Sequence, residues 1–313
     1  MLKTILLMAT VTILGGCSIF AHEAPGAYWC NEPFLKEDSR QFGDDELAAA
    51  RQGYMYVTAA ALALQGNENE DKDHWIGIPN RLKPIQPDPF FGADGFQARA
   101  FLLYDKNQPA QIEALVIAYT GSQSDDIWED WIKADFLKDQ SQYNQARKLI
   151  KDLSAKYPDV HKRIVTGFSL GGALAAHVAL HKDTSSLVSE VWTFNPSGRI
   201  YDLRSKAEKK SMANSTLRDP RFWLVANYLE AVRYTRSLTA HYFFGSDWIP
   251  APKSQFVNRV ELYKTNPVQG HFRYILFRDL LWAGELDARI NKFDENEPLE
   301  ILRNTHFSSC RTK

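Results

Sequence analysis

The sequence predicts an α/β protein with a mostly parallel central sheet and helices on both faces. Apolar strand-like runs alternate with helical stretches along most of the chain, which is the pattern of such sheets. With 313 residues, 44% of them apolar, the chain is long enough to bury one large core. Because no segment rich in Gly, Pro or Ser divides it, we predict one domain over residues 44–313, with a cap-like insertion at about 198–237.

The first part of this domain predicts one helix followed by two strands. Three acidic residues from Asp44 favour a helix start, and an Ala-rich pattern extends this helix to about Gln65. Four prolines in residues 79–95 predict turns. The apolar runs Phe96–Tyr104 and Ile112–Tyr119 predict adjacent strands.

The second part predicts further strand and helix units, whose parallel strands would place their carboxyl ends at one edge of the sheet. Open α/β sheets have their functional sites at this edge. The predicted elements are a helix at about Tyr143–Lys156, a strand at Arg163–Phe168, a helix from Leu170 to about His181, a strand at Leu187–Phe194, a helix near Phe222–Tyr234, strands at Leu238–Phe244 and Phe256–Tyr263, and a helix from about His271 to about Ile290.

The N-terminal residues have the pattern of an export signal. Lys3 precedes an apolar run of about ten residues, which is shorter than the ~20 that a membrane-spanning helix needs. The following Leu-Gly-Gly-Cys at 14–17 resembles the bacterial lipobox. This resemblance implies a signal peptide at 1–16, lipidation of Cys17, a tether at 17–43 and a lipid anchor in the bacterial cell envelope, with Ser18 favouring the outer membrane. The alternative is a plain signal peptide with an incidental cysteine.

Two cysteines remain if Cys17 is acylated. Cys30 and Cys310 would then form an even set in an oxidising compartment, near the two ends of the mature chain. A disulfide between them and two buried thiols are both compatible with the sequence.

The strongest chemical signal is Gly-Phe-Ser-Leu-Gly-Gly at residues 167–172. An apolar strand precedes it, and a helix with small residues on its first turns follows it. This strand–turn–helix context is that of the nucleophile elbow of α/β-hydrolases, in which glycines permit a sharp turn. We therefore predict Ser169 as a nucleophile at the edge of the sheet.

A serine hydroxyl needs a base, and in this fold the acid and the histidine follow the nucleophile along the chain. Asp247 comes just after a predicted strand, and His271 begins the last long helix, so the order Ser169, Asp247, His271 is the expected one. Asp279 and Asp287 lie within the last predicted helix and are expected to face solvent, whereas His241 and His306 are expected to be structural.

An acyl transfer also needs hydrogen-bond donors for the developing oxyanion. The backbone N–H of Leu170, directly after the nucleophile, is one candidate. Ser122 is the other, because it follows a buried strand that ends in the Gly turn Thr120-Gly121-Ser122. The alternative for Ser122 is an ordinary turn at the end of a strand.

These motifs together resemble the class 3 lipase family, the fungal-type triacylglycerol lipases and their bacterial relatives. The resemblance covers about residues 96–285 and implies the triad and the oxyanion donors named above. Two departures are Thr120, where the family usually has Arg, and Asn195, where it has Gly. The matching segments are Thr120–Ser122, Asp130–Phe136, Thr166–Ala175, Trp192–Ser197, Ser246–Pro250 and Gly270–His271.

Two further segments bear on access and on metal binding. In residues 123–136, apolar residues fall on one helical face and mainly acidic residues on the other, which predicts an amphipathic helix. The resemblance to fungal lipases implies that this segment is a mobile lid, and a fixed helix packed on the core is the alternative. His177 and His181 are four residues apart but lack the intervening Glu of a zinc helix, so we expect them on the outer part of the elbow helix. We predict no metal and no cofactor.

The net charge of −1 and the absence of a basic run exclude a nucleic-acid partner on electrostatic grounds. The expected partners are a lipid or ester substrate and a membrane surface reached through the lipid anchor. The function predicted first is hydrolysis of carboxylic esters of lipids. An acyltransferase with the same triad and a non-catalytic envelope scaffold are the alternatives.

Overall fold

In the computed structural model of the chain, a mostly parallel sheet lies between two layers of helices, as predicted. The structure describes residues 42–66, 75–120, 141–197, 219–227, 252–260, 269–292 and 297–306. Within these residues the central sheet has eight strands.

The elements have the following bounds. The strands are β1 Trp75–Ile76, β2 Leu82–Pro84, β3 Phe90–Phe91, β4 Gln97–Tyr104, β5 Ile112–Tyr119, β6 Arg163–Phe168, β7 Glu190–Phe194, β8 Phe222–Val225, β9 Phe256–Val257 and β10 Thr305–His306. The helices are α1 Asp44–Ala63, α2 Ser141–Lys156, α3 Leu170–Leu180, α4 Arg273–Asn291 and α5 Glu297–Arg303. Short 3-10 turns occupy Ser185–Leu187, Lys253–Gln255 and Gln269–His271.

The strand order of the central sheet is β2-β4-β5-β6-β7-β8-β9, with β3 paired to β4. The strands from β5 to β9 are parallel, and β2, β3 and β5 pair with β4 in antiparallel fashion.

Alternation along the central strands divides the apolar side chains between two cores. In β6, Ile164 and Phe168 pack with α1 and α4 on one face, whereas Val165 packs with α2 and α3 on the other. Successive side chains of a strand point to opposite faces, so a strand buried on both sides has a nearly continuous apolar sequence. Burial on both faces makes the central strands a rigid support for the residues at their carboxyl ends.

Helix α1 packs on α4 and on the centre of the sheet. Its last carbonyl groups accept hydrogen bonds from three separate elements: Arg99 Nη1 donates to Leu62 (3.2 Å), Thr120 Oγ1 to Ala63 (3.0 Å) and Arg273 Nη1 to Leu64 (2.9 Å). Carbonyls at a helix end lack partners within the helix, and cations there complement the helix dipole. The end of α1 is thereby joined to β4, to the end of β5 and to the start of α4.

The predicted elements that fall within the described residues correspond to observed ones, apart from the segment near residue 222 and the ends of several elements. The predicted helix that begins at Phe222 is wrong at Phe222–Val225, which form strand β8 between β7 and β9. All four side chains are buried, and a short apolar run buried on both faces does not reveal helix or strand by periodicity. Strand β9 ends at Val257, earlier than the predicted Tyr263.

Several predictions lie outside the described residues. They are the signal peptide, the tether, Cys17, Cys30, Cys310, the oxyanion candidate Ser122, the segment 123–136, the strand Leu238–Phe244, the acid Asp247, and His241. Among the described helices, none combines the length and the apolar character needed to cross a membrane.

Candidate active site

Ser169 occupies the turn between β6 and α3 and has an unusual backbone conformation. Its φ of 50° and ψ of −121° are rarely adopted by residues other than glycine. Two hydrogen bonds from neighbouring backbone fix this turn: the Ser169 N–H donates to the Phe194 carbonyl at 3.0 Å, and the Ser197 N–H donates to the Ser169 carbonyl at 3.0 Å. The surrounding structure therefore holds Ser169 in a strained conformation at the carboxyl edge of the sheet.

Two glycines let the first turn of α3 approach β6 closely. A Cβ added at Gly167 would lie 2.4 Å from the carbonyl carbon of Gly171, and one added at Gly172 would lie 3.0 Å from the Gly167 carbonyl oxygen. A distance of 2.4 Å to backbone leaves no room for a methyl group. The elbow motif is thus required by packing between strand and helix.

The structure brings His271 to Ser169. The His271 Nε2 lies 3.1 Å from Ser169 Oγ, a hydrogen-bond distance, although 102 residues separate the two in the chain. His271 ends the 3-10 turn Gln269–His271, and α4 begins two residues later at Arg273, which is tied to the end of α1. Both side chains are half-buried, so the pair is partly open to solvent.

A buried amide pair lies beside this contact. Asn195 follows β7 and Asn227 follows β8, and neither has exposed surface. The Asn195 Nδ2 donates to the Gly270 carbonyl at 2.9 Å, and the Asn195 Oδ1 accepts from the Asn227 N–H at 3.0 Å. At the level of sequence, Asn195 was notable only because class 3 lipases have Gly at that position, and Asn227 fell within a predicted helix. The available signal was a polar residue directly after one buried apolar run, at Asn195, and another two residues past a second run, at Asn227.

The candidate oxyanion donors are described in part. Leu170 is the first residue of α3, where backbone N–H groups have no carbonyl of the same helix to bond. Thr120, two residues before Ser122, is buried, and its backbone N–H donates to the Gln97 carbonyl at 3.0 Å. Because Tyr119 pairs with Gly167 across the sheet, the end of β5 lies beside the elbow.

Two acids that were expected to face solvent are buried, so this expectation is wrong. Asp279 is fully buried and pairs with the equally buried Arg278. Asp287 is 1% exposed and accepts two hydrogen bonds from Arg51, at 2.7 and 2.8 Å, and this contact raises the pKa of Arg51. Ion pairing offsets the cost of burying each carboxylate. Of the other candidates, His306 lies in β10.

His177 and His181 are also buried, contrary to the prediction that they lie on the outer part of α3. His177 is 2% exposed, its ring packs edge-on against Tyr143 at 4.9 Å, and its Nε2 lies 2.5 Å from Arg147 Nη1. Burial, with a smaller contribution from Arg147, lowers the pKa of His181. Helix α2 covers this part of α3. Across the described residues, no cluster of three or more His, Cys, Asp or Glu side chains forms a site for a metal ion.

Comparisons with known proteins give one family match. A phospholipase-like family, described as the Tle-like phospholipase domain, matches residues 46–231, which is more than half of the chain. The match includes α1, the strands β1–β8 and the elbow, and it is consistent with an α/β-hydrolase fold. No curated protein matches the sequence.

Proposed function

Since the chain belongs to the family of the Tle-like phospholipase domain and is a hydrolase that acts on lipids, we propose that it cleaves carboxylic esters with Ser169 as nucleophile. The observation that carries this proposal is the 3.1 Å distance between His271 Nε2 and Ser169 Oγ at a strained elbow. A nucleophile, an adjacent base and a strained turn are the features of acyl transfer by serine hydrolases.

In the proposed reaction, His271 acts first as a base and then as an acid. With the imidazole proton on Nδ1, Nε2 accepts the hydroxyl proton while Ser169 Oγ attacks the ester carbonyl carbon. His271 then returns this proton to the leaving alcohol, and an acyl-serine remains. Water then attacks the acyl carbon while His271 takes its proton, and His271 passes this proton to Ser169 Oγ as the fatty acid leaves.

We assign the supporting roles by chain order and by the resemblance to class 3 lipases. Asp247 is proposed to hold the imidazole in the productive orientation, and Leu170 and Ser122 to donate hydrogen bonds to the oxyanion. The position of Leu170 at the start of α3 supports its role, because N–H groups at a helix start favour negative charge.

The proposed location is the bacterial cell envelope, at a membrane surface reached through lipid on Cys17. The lipobox-like sequence at 14–17 supports this, and an anchor of several acyl chains would keep the enzyme beside its substrate. A disulfide between Cys30 and Cys310 belongs to the same proposal, since the envelope outside the cytoplasm is oxidising.

The test combines an active-site probe with a lipid substrate. Wild-type protein and Ser169→Ala are incubated with a fluorophosphonate probe and, separately, with phosphatidylcholine vesicles. We expect labelling and fatty-acid release by the wild type, and a loss of both of at least about 10³-fold in Ser169→Ala. The control Ser186→Ala changes an exposed serine of the turn Ser185–Leu187 and is expected to behave as wild type.

The same experiment separates the alternative functions. An unlabelled, inactive wild type would contradict the proposal and favour a non-catalytic scaffold. Addition of an alcohol acceptor distinguishes hydrolysis from acyl transfer. Hydrolysis predicts free fatty acid as the main product, whereas an acyltransferase would yield mainly the new ester.

A further inference from the structure

The chain segment Phe194–Ser197, at the end of β7, bonds to Ser169 and to the residue that precedes His271. Its backbone bonds to the elbow, through the Phe194 carbonyl and the Ser197 N–H. Its side chain at Asn195 bonds to Gly270, the residue directly before His271, at 2.9 Å. One short segment therefore connects the turn of the nucleophile to the turn of the histidine.

The hydrogen-bond partners fix the orientation of both buried amides. The Asn227 backbone N–H can only donate, so the Asn195 atom that it meets at 3.0 Å is Oδ1, and the Nδ2 group must face the Gly270 carbonyl. The Val260 carbonyl can only accept, so the Asn227 Nδ2 donates to it at 2.6 Å, which leaves the Asn227 Oδ1 facing Asn195 Nδ2 at 3.4 Å. Every side-chain polar atom of the pair thus has a partner.

The backbone of Asn195 does not itself require an amide side chain. Its φ of 44° lies in the left-handed region, which glycine adopts at no steric cost and which asparagine tolerates better than most residues. Glycine would therefore suit the turn without introducing a buried polar group. Asparagine differs from glycine at this position by the hydrogen bonds that its side chain makes.

We propose that Asn195, supported by Asn227, is a positioning residue that holds His271 at bonding distance from Ser169. This rests on the proposed function and goes beyond it by naming what orients the base from its N-terminal side. His271 ends a 3-10 turn, a short element with poor hydrogen-bond geometry of its own. Asn195 fixes this turn at Gly270, and Arg273 fixes the following residues to the end of α1.

The main test is Asn195→Gly, which retains the backbone conformation and removes only the amide. We expect kcat on a soluble ester and the rate of fluorophosphonate labelling of Ser169 to fall about 100-fold, with KM changed less than about twofold, because misplacement of a base affects the chemical step. A residue that only stabilises the fold would lower Tm and leave kcat of the folded enzyme unchanged.

A second variant keeps the proposal testable if Asn195→Gly does not fold. Asn227→Ser keeps the backbone N–H that bonds to Asn195 Oδ1 and shortens the side chain that supports the amide. We expect a smaller fall in kcat, of about 10-fold, again with KM nearly constant. The control is Lys292→Gly, which places glycine at another left-handed position (φ 54°), exposed at the end of α4, and is expected to leave kcat unchanged.

The outcomes separate this proposal from the function on which it rests. Folded Asn195→Gly and Asn227→Ser enzymes with kcat and labelling rates equal to wild type would overturn the positioning role while leaving the hydrolase intact. A wild-type protein that neither hydrolyses esters nor labels at Ser169 would overturn both.

Discussion

At the residue scale, the site depends on Ser169 being held in a conformation that its own backbone disfavours. Hydrogen bonds from Ser169 to Phe194 and from Ser197 to Ser169 hold this conformation, at an expected intrinsic cost of about 1–3 kcal/mol. The strained turn presents the side chain to His271 Nε2 at 3.1 Å. The strained turn therefore supports the Ser169–His271 contact on which the proposed chemistry depends.

Burial of single residues also sets the response of stability to pH. Tyr56 lies in α1 against Trp192, with ring centroids 5.4 Å apart, and burial raises the pKa of its hydroxyl to about 12. The folded state therefore binds this proton more tightly than the unfolded chain, whose tyrosine titrates near pH 10. This contribution to stability is complete below pH 10 and is lost as the pH rises from 10 towards 12.

We therefore expect Tyr56→Phe to flatten the fall in Tm at alkaline pH. The measurement is thermal unfolding of wild type and variant at intervals from pH 8 to pH 11. Above pH 10, the Tm of wild type is expected to fall more steeply than that of Tyr56→Phe. One proton can change the free energy of unfolding by at most about 1.4 kcal/mol per pH unit. Parallel curves for the two proteins would contradict the assignment.

At the element scale, the central strands β5 and β6 were predictable and strand β8 was not. Strands β5 and β6 have the predicted bounds, because each is a buried apolar run bounded by polar or turn residues. Strand β8 has four apolar residues, too few for periodicity to separate strand from helix. It is a strand because it pairs with β7 and β9, and this pairing cannot be read from the sequence alone.

The close contact between β6 and α3 makes a sharp prediction for the elbow glycines. Gly167→Ala places a methyl group 2.4 Å from the Gly171 backbone, whereas Gly172→Ala meets its nearest atoms, in Gly167 and Pro196, at 3.0 Å. We expect Gly167→Ala to lower the free energy of unfolding by about 1–3 kcal/mol or more and to reduce esterase activity strongly, with a milder effect for Gly172→Ala. Urea unfolding and ester hydrolysis of both variants provide the measurement.

The reverse order of these two variants would contradict the packing argument. A Gly167→Ala protein as stable and active as wild type would mean that α3 can move away from β6 at little cost. The backbone contacts at Gly171 and the central place of β6 in the sheet give no support to such movement.

At the scale of the whole molecule, the fold unites groups from distant parts of the chain. The order of nucleophile and histidine, together with the elbow, predicted a pair that the structure places 3.1 Å apart. The sequence did not predict the role of Asn195 and Asn227, because a buried amide pair is defined by partners on different strands. It also placed Asp287 in solvent, since its partner Arg51 lies 236 residues away.

Capture of an acyl-enzyme is the most direct test of Ser169 as the nucleophile. Protein is mixed with a short-chain activated ester, quenched in acid within milliseconds to seconds, digested and analysed by mass spectrometry. We expect an acyl group on the peptide that contains Ser169, which accumulates in wild type and is absent from Ser169→Ala. Ester hydrolysis by wild type with the acyl group on another residue, or equal hydrolysis by Ser169→Ala, would contradict it.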